Sequence, residues 1–153
     1  MKYSLILLII ALLFTGCSSS EQSTPSYEKT TVVYSMKNVL HGSEVELSIK
    51  NKTLYLKAVN PMNGIDRSRQ YTLTNSEVKS VYNFLKDNKF NEIKSPPKSM
   101  MTDVPIVIIT VSYDKYKNTI DLTAVTKIPE IIFDLTELLT TLAQKYDSSW
   151  QGE

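Results

Sequence analysis

Three kinds of side chain in this sequence could do chemistry: a single thiol, Cys17, a single imidazole, His41, and carboxylates of which Asp103, Asp114 and Asp121 are the nearest to a group. Nucleophilic catalysis of the serine type needs a hydroxyl, an imidazole and an orienting carboxylate converging in space. His41-Gly42-Ser43-Glu44 brings those residue types together only at a loop-to-strand junction, and the spacing gives no sign of convergence. A zinc site uses several His and Cys ligands, which one of each does not supply. A calcium site needs clustered acids. Asp103, Asp114 and Asp121 are scattered, and Asp103 before Val104-Pro105 reads as a turn former. The whole chain has four glycines and no phosphate-cradling glycine loop. The expectation is a domain that is not an enzyme, with no catalytic residue, no metal and no cofactor.

The thiol has a different use. Lys2 is a basic start, residues 5–14 form an unbroken apolar run, and Thr15-Gly16 are two small residues before Cys17. This is the layout of an export signal. A membrane-spanning helix needs roughly 20 apolar residues, and this run is about half that. Phe14-Thr15-Gly16-Cys17 resembles the bacterial lipobox, whose pattern is Leu, a small residue, Gly or Ala, then Cys; Phe14 stands where Leu is usual. The resemblance implies a lipoprotein: signal-peptide cleavage after Gly16, a diacylglyceryl thioether on Cys17, further acylation, and membrane attachment in a bacterial cell envelope. In a Gram-negative cell, Ser18 in place of the inner-membrane aspartate signal implies the outer membrane. With its one cysteine acylated, the exported part has no internal disulfide and must rely on its own core.

The chain thus divides into a signal peptide at 1–16, the lipidated Cys17 with a tether over 17–29, and one domain over 30–150. The tether is polar, contains Pro25 and has no apolar period, so it cannot bury enough surface to offset its ordering entropy. The chain carries 17 basic and 16 acidic residues, and loss of Lys2 with the signal leaves the two balanced. Without a basic block, nucleic acid is excluded as an expected partner.

The elements follow from periodicity. Residues 30–34 are β-branched and predict a short strand. Val45, Leu47 and Ile49 alternate with Glu44, Glu46 and Ser48, and Leu54, Leu56 and Ala58 alternate on the return. This predicts a half-buried antiparallel hairpin turning at Asn51-Lys52. Residues 60–70, rich in turn formers, read as a loop, with a short strand at 71–73. Thr74-Asn75-Ser76-Glu77 fits a capping box, and Val78, Val81, Tyr82 and Leu85 make one helical stripe. Residues 94–103 read as a second loop. The run 104–113 is apolar on both faces and predicts a central strand covered on both sides. Residues 114–118 turn the chain and 119–125 pair back. Pro129 and Glu130 open a second helix, whose stripe runs from Ile131 to Tyr146, with Trp150 closing the domain. The sum is a two-layer α+β fold: an antiparallel sheet of about five strands packed by two amphipathic helices, in the order β-β-β-α-β-β-α.

Residues 74–150 resemble an exported family of bacterial domains of unknown function. The likeness lies in a helix with Glu77 near its start, Phe90 and Ile93 after it, Thr102-Asp103-Val104-Pro105 opening an apolar strand, and a Pro-led helix before Trp150. The family's cysteine pair before its first hairpin is missing from this chain. The resemblance implies the fold and no activity. What remains for function is contact. Met62 stands in the first loop, and Met100 and Met101 in the second. Methionines are flexible and polarizable, and suit adaptable surfaces. The expectation is a membrane-anchored interaction domain with a protein partner in the envelope; the alternative is a periplasmic inhibitor of an envelope hydrolase, of the lysozyme- or protease-inhibitor kind, with both loops entering a cleft.

Overall fold

The computed structural model describes residues 26–150. Gly16, Cys17 and most of the expected tether lie outside the described residues. The elements are strands β1 (Thr31–Asn38), β2 (Ser43–Lys50), β3 (Thr53–Asn60) and β4 (Ile65–Thr72), helix α1 (Asn75–Asp87), strands β5 (Ile106–Tyr113) and β6 (Tyr116–Asp121), and helix α2 (Glu130–Tyr146). The class is α+β, as expected, but the sheet has six strands, in the spatial order β4-β3-β2-β1-β5-β6, and the chain order is β-β-β-β-α-β-β-α. Every ladder is antiparallel.

The register sorts side chains onto two faces. Val32, Ile49, Leu54 and Val111 share one face with Tyr34, Leu47, Leu56 and Ile109. Helix α1 buries Val78, Val81 and Leu85, and α2 buries Ile132, Leu135, Leu139, Leu142 and Ala143. These join the sheet residues in one core. Both helices therefore cover the same face. The expectation of a β5 covered on both sides is corrected here: Val107, Ile109 and Val111 point to the helices, whereas Ile106 on the opposite face is 39% exposed and Ile108 is half-buried. An apolar run cannot by itself say which face is covered.

The missing strand is β4, hidden in the expected 60–70 loop. Its positions paired with the core-facing Ala58 and Leu56 are Arg67 and Arg69. An arginine lays its aliphatic stem along apolar surface and keeps its head out, so an edge strand can show alternation in shape while hiding it in polarity. Smaller corrections concern boundaries. Strand β1 continues to Asn38, β6 starts at Tyr116 after a turn at Asp114-Lys115 and stops at Asp121, and Pro129 is the N-cap of α2 rather than its first residue. Ser26–Lys29, the last residues of the expected tether, form a 3-10 turn whose Tyr27 packs against the core.

Local chemistry fixes the turns. Asn51 (φ 48°) and Lys52 (φ 67°) both take the left-handed conformation, the requirement of a two-residue hairpin turn matched to strand twist. The capping box is formed as expected: Thr74 Oγ1 accepts from Glu77 N at 3.3 Å, and Glu77 Oε2 accepts from Thr74 N at 2.7 Å. At the far end, Lys89 (φ 50°) is left-handed, Lys89 N donates to Lys86 O and Phe90 N donates to Leu85 O. That is the Schellman pattern with lysine where glycine is usual. Its apolar partner is Phe90, fully buried 5.8 Å from the Phe84 ring.

The two ends of the sheet differ. At the end where the chain enters β1, Glu77 ties the helices together: Lys145 Nζ and Tyr146 Oη donate to its carboxylate at 2.6 and 2.8 Å. Burial alone would raise the Glu77 carboxyl, but hydrogen bonds from Lys145, from Thr74 and from Tyr146 outweigh it and hold the group at about 2. At the same end Ser26 Oγ donates to Asp114, and Tyr82 Oη stands 3.1 Å from both Asp114 oxygens. Lys52 adds an ion pair to Glu28 at 3.6 Å.

Candidate interaction surface

Three connections meet at the opposite end of the sheet. The ladder pairs Asn38 with Ser43, Glu44 with Val59, Asn60 with Ile65, and Lys37 with Ile106. The β1–β2 turn, the β3–β4 turn and the loop entering β5 therefore leave from one edge. The turns also touch: a Cβ built on Gly42 would stand 3.6 Å from Pro61 Cγ. This end lies a strand length from the entry to β1, roughly 26 Å for eight residues.

Each connection is shaped by its own polar residue. Asn38 Oδ1 accepts from Leu40 N at 3.1 Å and from His41 N at 3.2 Å. Asn60 Oδ1 accepts from Met62 N at 3.2 Å, capping a short 3-10 turn (Pro61–Asn63) that closes on Gly64 (φ 66°). Ser99 Oγ accepts from Met101 N at 3.3 Å. These Asx- and Ser-type bonds satisfy the backbone locally and leave the apolar side chains facing out. Leu40 is 66% exposed, Met62 73% and Met101 62%, with Val39 similarly open and Met100 fully exposed. At the same end a cavity of about 130 Å³ is walled by Met36, Val45, Ala58, Val59, Ile65 and Pro105, with Asn38, Ser43, Glu44 and Asn60 completing its lining. Two ion pairs lie nearby: Lys57 Nζ meets Glu44 at 2.8 Å, and Lys98 Nζ meets Asp121 at 2.5 Å. The Lys98 bond, with two from Thr123, holds the Asp121 carboxyl at about 2. Exposed apolar side chains at the same end as a small socket suit a protein contact.

The polar candidates do not assemble. His41 is exposed at the tip of the β1–β2 turn. Asp103 is exposed in the loop before β5 with φ 61°. Asp114 lies at the opposite end, its carboxyl held below the usual range chiefly by the Ser26 hydroxyl and also by Tyr82. Asp121 is committed to Lys98. Among the described residues no group of three or more His, Cys, Asp or Glu could hold a metal ion, and no helix is long and apolar enough to cross a membrane. Met62 lies in the β3–β4 turn, and Met100 and Met101 in the loop that enters β5, at the same end of the sheet but beside different strands. Val39 and Leu40 are rim residues that the sequence reasoning passed over. Their signal was two adjacent apolar residues between the turn formers Asn38 and Gly42, outside either strand's alternation.

The chain matches no family model and no curated protein.

Proposed function

We propose that this chain is a lipid-anchored interaction domain of a bacterial cell envelope, attached through Cys17 and binding an envelope protein with the rim of Val39, Leu40, Met62, Met100 and Met101. The observation that carries the reading is polarity along the sheet: the chain enters β1 at one end, and at the other Val39, Leu40 and Met62 stand exposed on the β1–β2 and β3–β4 turns, with Met100 and Met101 exposed in the loop that enters β5. A domain attached at its entry end has its rim free to meet a partner. Flexible methionines mould to a partner surface, and the socket at the same end is of a size to take one apolar side chain. The balanced charge and the dispersed carboxylates support binding over catalysis.

The test has two arms. Cells fed a labelled fatty acid should label the native chain and not a Cys17→Ala variant, which should leave the membrane fraction. A Leu40→Asp/Met101→Asp variant should stay lipidated and folded but lose the envelope protein that crosslinks to the native chain. Equal labelling of Cys17→Ala, or an unchanged crosslink from the rim variant, overturns the corresponding half of the reading.

A further inference from the structure

A second cavity, of about 100 Å³, lies beneath α2 on the covered face of the sheet. Tyr34 and Leu47 bound it from the sheet, Thr136, Leu139 and Thr140 from α2, and Trp150 from the turn that follows α2. Trp150 is 2% exposed, and its Nε1 is buried with no acceptor among the described residues. Indole nitrogen can only donate, and a buried donor left unmet costs roughly 1–3 kcal/mol. Arg67 stands against the same ring, its guanidinium carbon 5.9 Å from the centroid, and its Nε is likewise buried without an acceptor.

The ring is placed by other bonds. Trp150 N donates to Asp147 O at 2.9 Å. The Asp147 carboxylate accepts from Ser149 N at 3.0 Å and pairs with Arg69 Nε at 3.4 Å. Tyr34 lines the same cavity, and burial raises its hydroxyl above the ordinary value. The site thus sets the unmet Trp150 donor, with the Arg67 cation nearby, against Val45, Leu47 and Leu139, with Thr136 and Thr140 completing the wall.

We propose that this cavity binds a small monocarboxylate with a short aliphatic chain, one carboxylate oxygen accepting the Trp150 Nε1–H. The acid is called for by donors that lack acceptors and by Arg67; the aliphatic chain, by Leu47 and Leu139. The length is set by volume, because a cavity of about 150 Å³ holds benzene and this one is smaller. The site goes beyond the rim reading, and neither needs the other.

Trp150 is the chain's one tryptophan, so a single indole N–H resonance and the intrinsic fluorescence both report on the site. The full-length, detergent-solubilised chain is titrated with butyrate, and with butylammonium as a cation of similar shape. Butyrate should give a saturable downfield shift of the indole proton, and butylammonium none. Thr140→Leu, which fills the cavity, should abolish the shift. Arg67→Gln should weaken butyrate about tenfold and leave the neutral analogue butyramide unchanged, and it keeps the test open should Thr140→Leu not fold. No saturable response to butyrate, an equal response to butylammonium, or a response that survives in folded Thr140→Leu overturns the proposal; water then meets the donors.

Discussion

At the entry end of the sheet, polar side chains reach across the fold; at the rim end the turns are shaped by bonds within their own loops, and only the flanking ion pairs Lys57–Glu44 and Lys98–Asp121 reach further. Ser26 and Tyr82 meet at Asp114, and Glu77 joins Thr74 to Lys145 and Tyr146, bonds that link residues far apart in the chain. Asn38, Asn60 and Ser99 reach two or three residues along. Long-range bonds fix elements against one another and register in stability. Short-range bonds shape a loop and leave its apolar side chains available. The difference teaches where substitutions should harm folding and where they should harm binding.

The strongest way to break that comparison is at the rim. Leu40→Asp with Met101→Asp should weaken partner binding about 100-fold, near 3 kcal/mol for two buried contacts, with an unchanged melting temperature. Binding by titration calorimetry and melting by circular dichroism check both halves; a lowered melting temperature would mean that the rim is part of the core.

At the entry end, Glu77→Ala should cost about 2 kcal/mol, combining a lost cap with a lost helix-to-helix tie. Urea unfolding measures it, and partner affinity should stay the same. The same residue gives a pH dependence. Its folded pKa of about 2 lies below the ordinary 4.5, so its contribution is complete above pH 4.5 and is lost as pH falls from there towards 2. Asp121, also held at about 2 against an ordinary 3.8, acts in the same direction. Glu77→Gln should flatten the stability profile over that window; an unchanged acid slope would remove Glu77 as its source.

A smaller effect sharpens the contrast. Gly64 has φ 66° with nothing within 4 Å of an added Cβ, so Gly64→Ala carries only backbone strain, about 1 kcal/mol. Lys57→Ala, which breaks an ion pair more than a third exposed at the lysine, should change stability by less than that. Thermal melts of the two variants should rank them in that order.

The same contrast governs what was legible in the sequence. The β2–β3 hairpin, the capping box at Thr74 and the α2 stripe were readable because alternation, cap chemistry and helical spacing are local signals. The methionines of the rim were visible as residues, but the place of Met62 in a hairpin turn was not, because it depends on strand β4, whose Arg67 and Arg69 take core-facing positions on polar side chains. Ile106 and Ile108 misled in the opposite sense, being apolar on a face that the helices do not cover. Arg67 and Trp150, which frame the second cavity, meet only through tertiary packing.

The central claim is that contact with a partner is made from the rim and not from the entry end. Its most direct test places a photo-crosslinking amino acid at Leu40 in one strain and at exposed Lys115, in the turn beside Asp114, in another, and illuminates intact cells. The expected result is one discrete protein adduct from Leu40 and none from Lys115. An adduct from Lys115 with none from Leu40 would contradict the account.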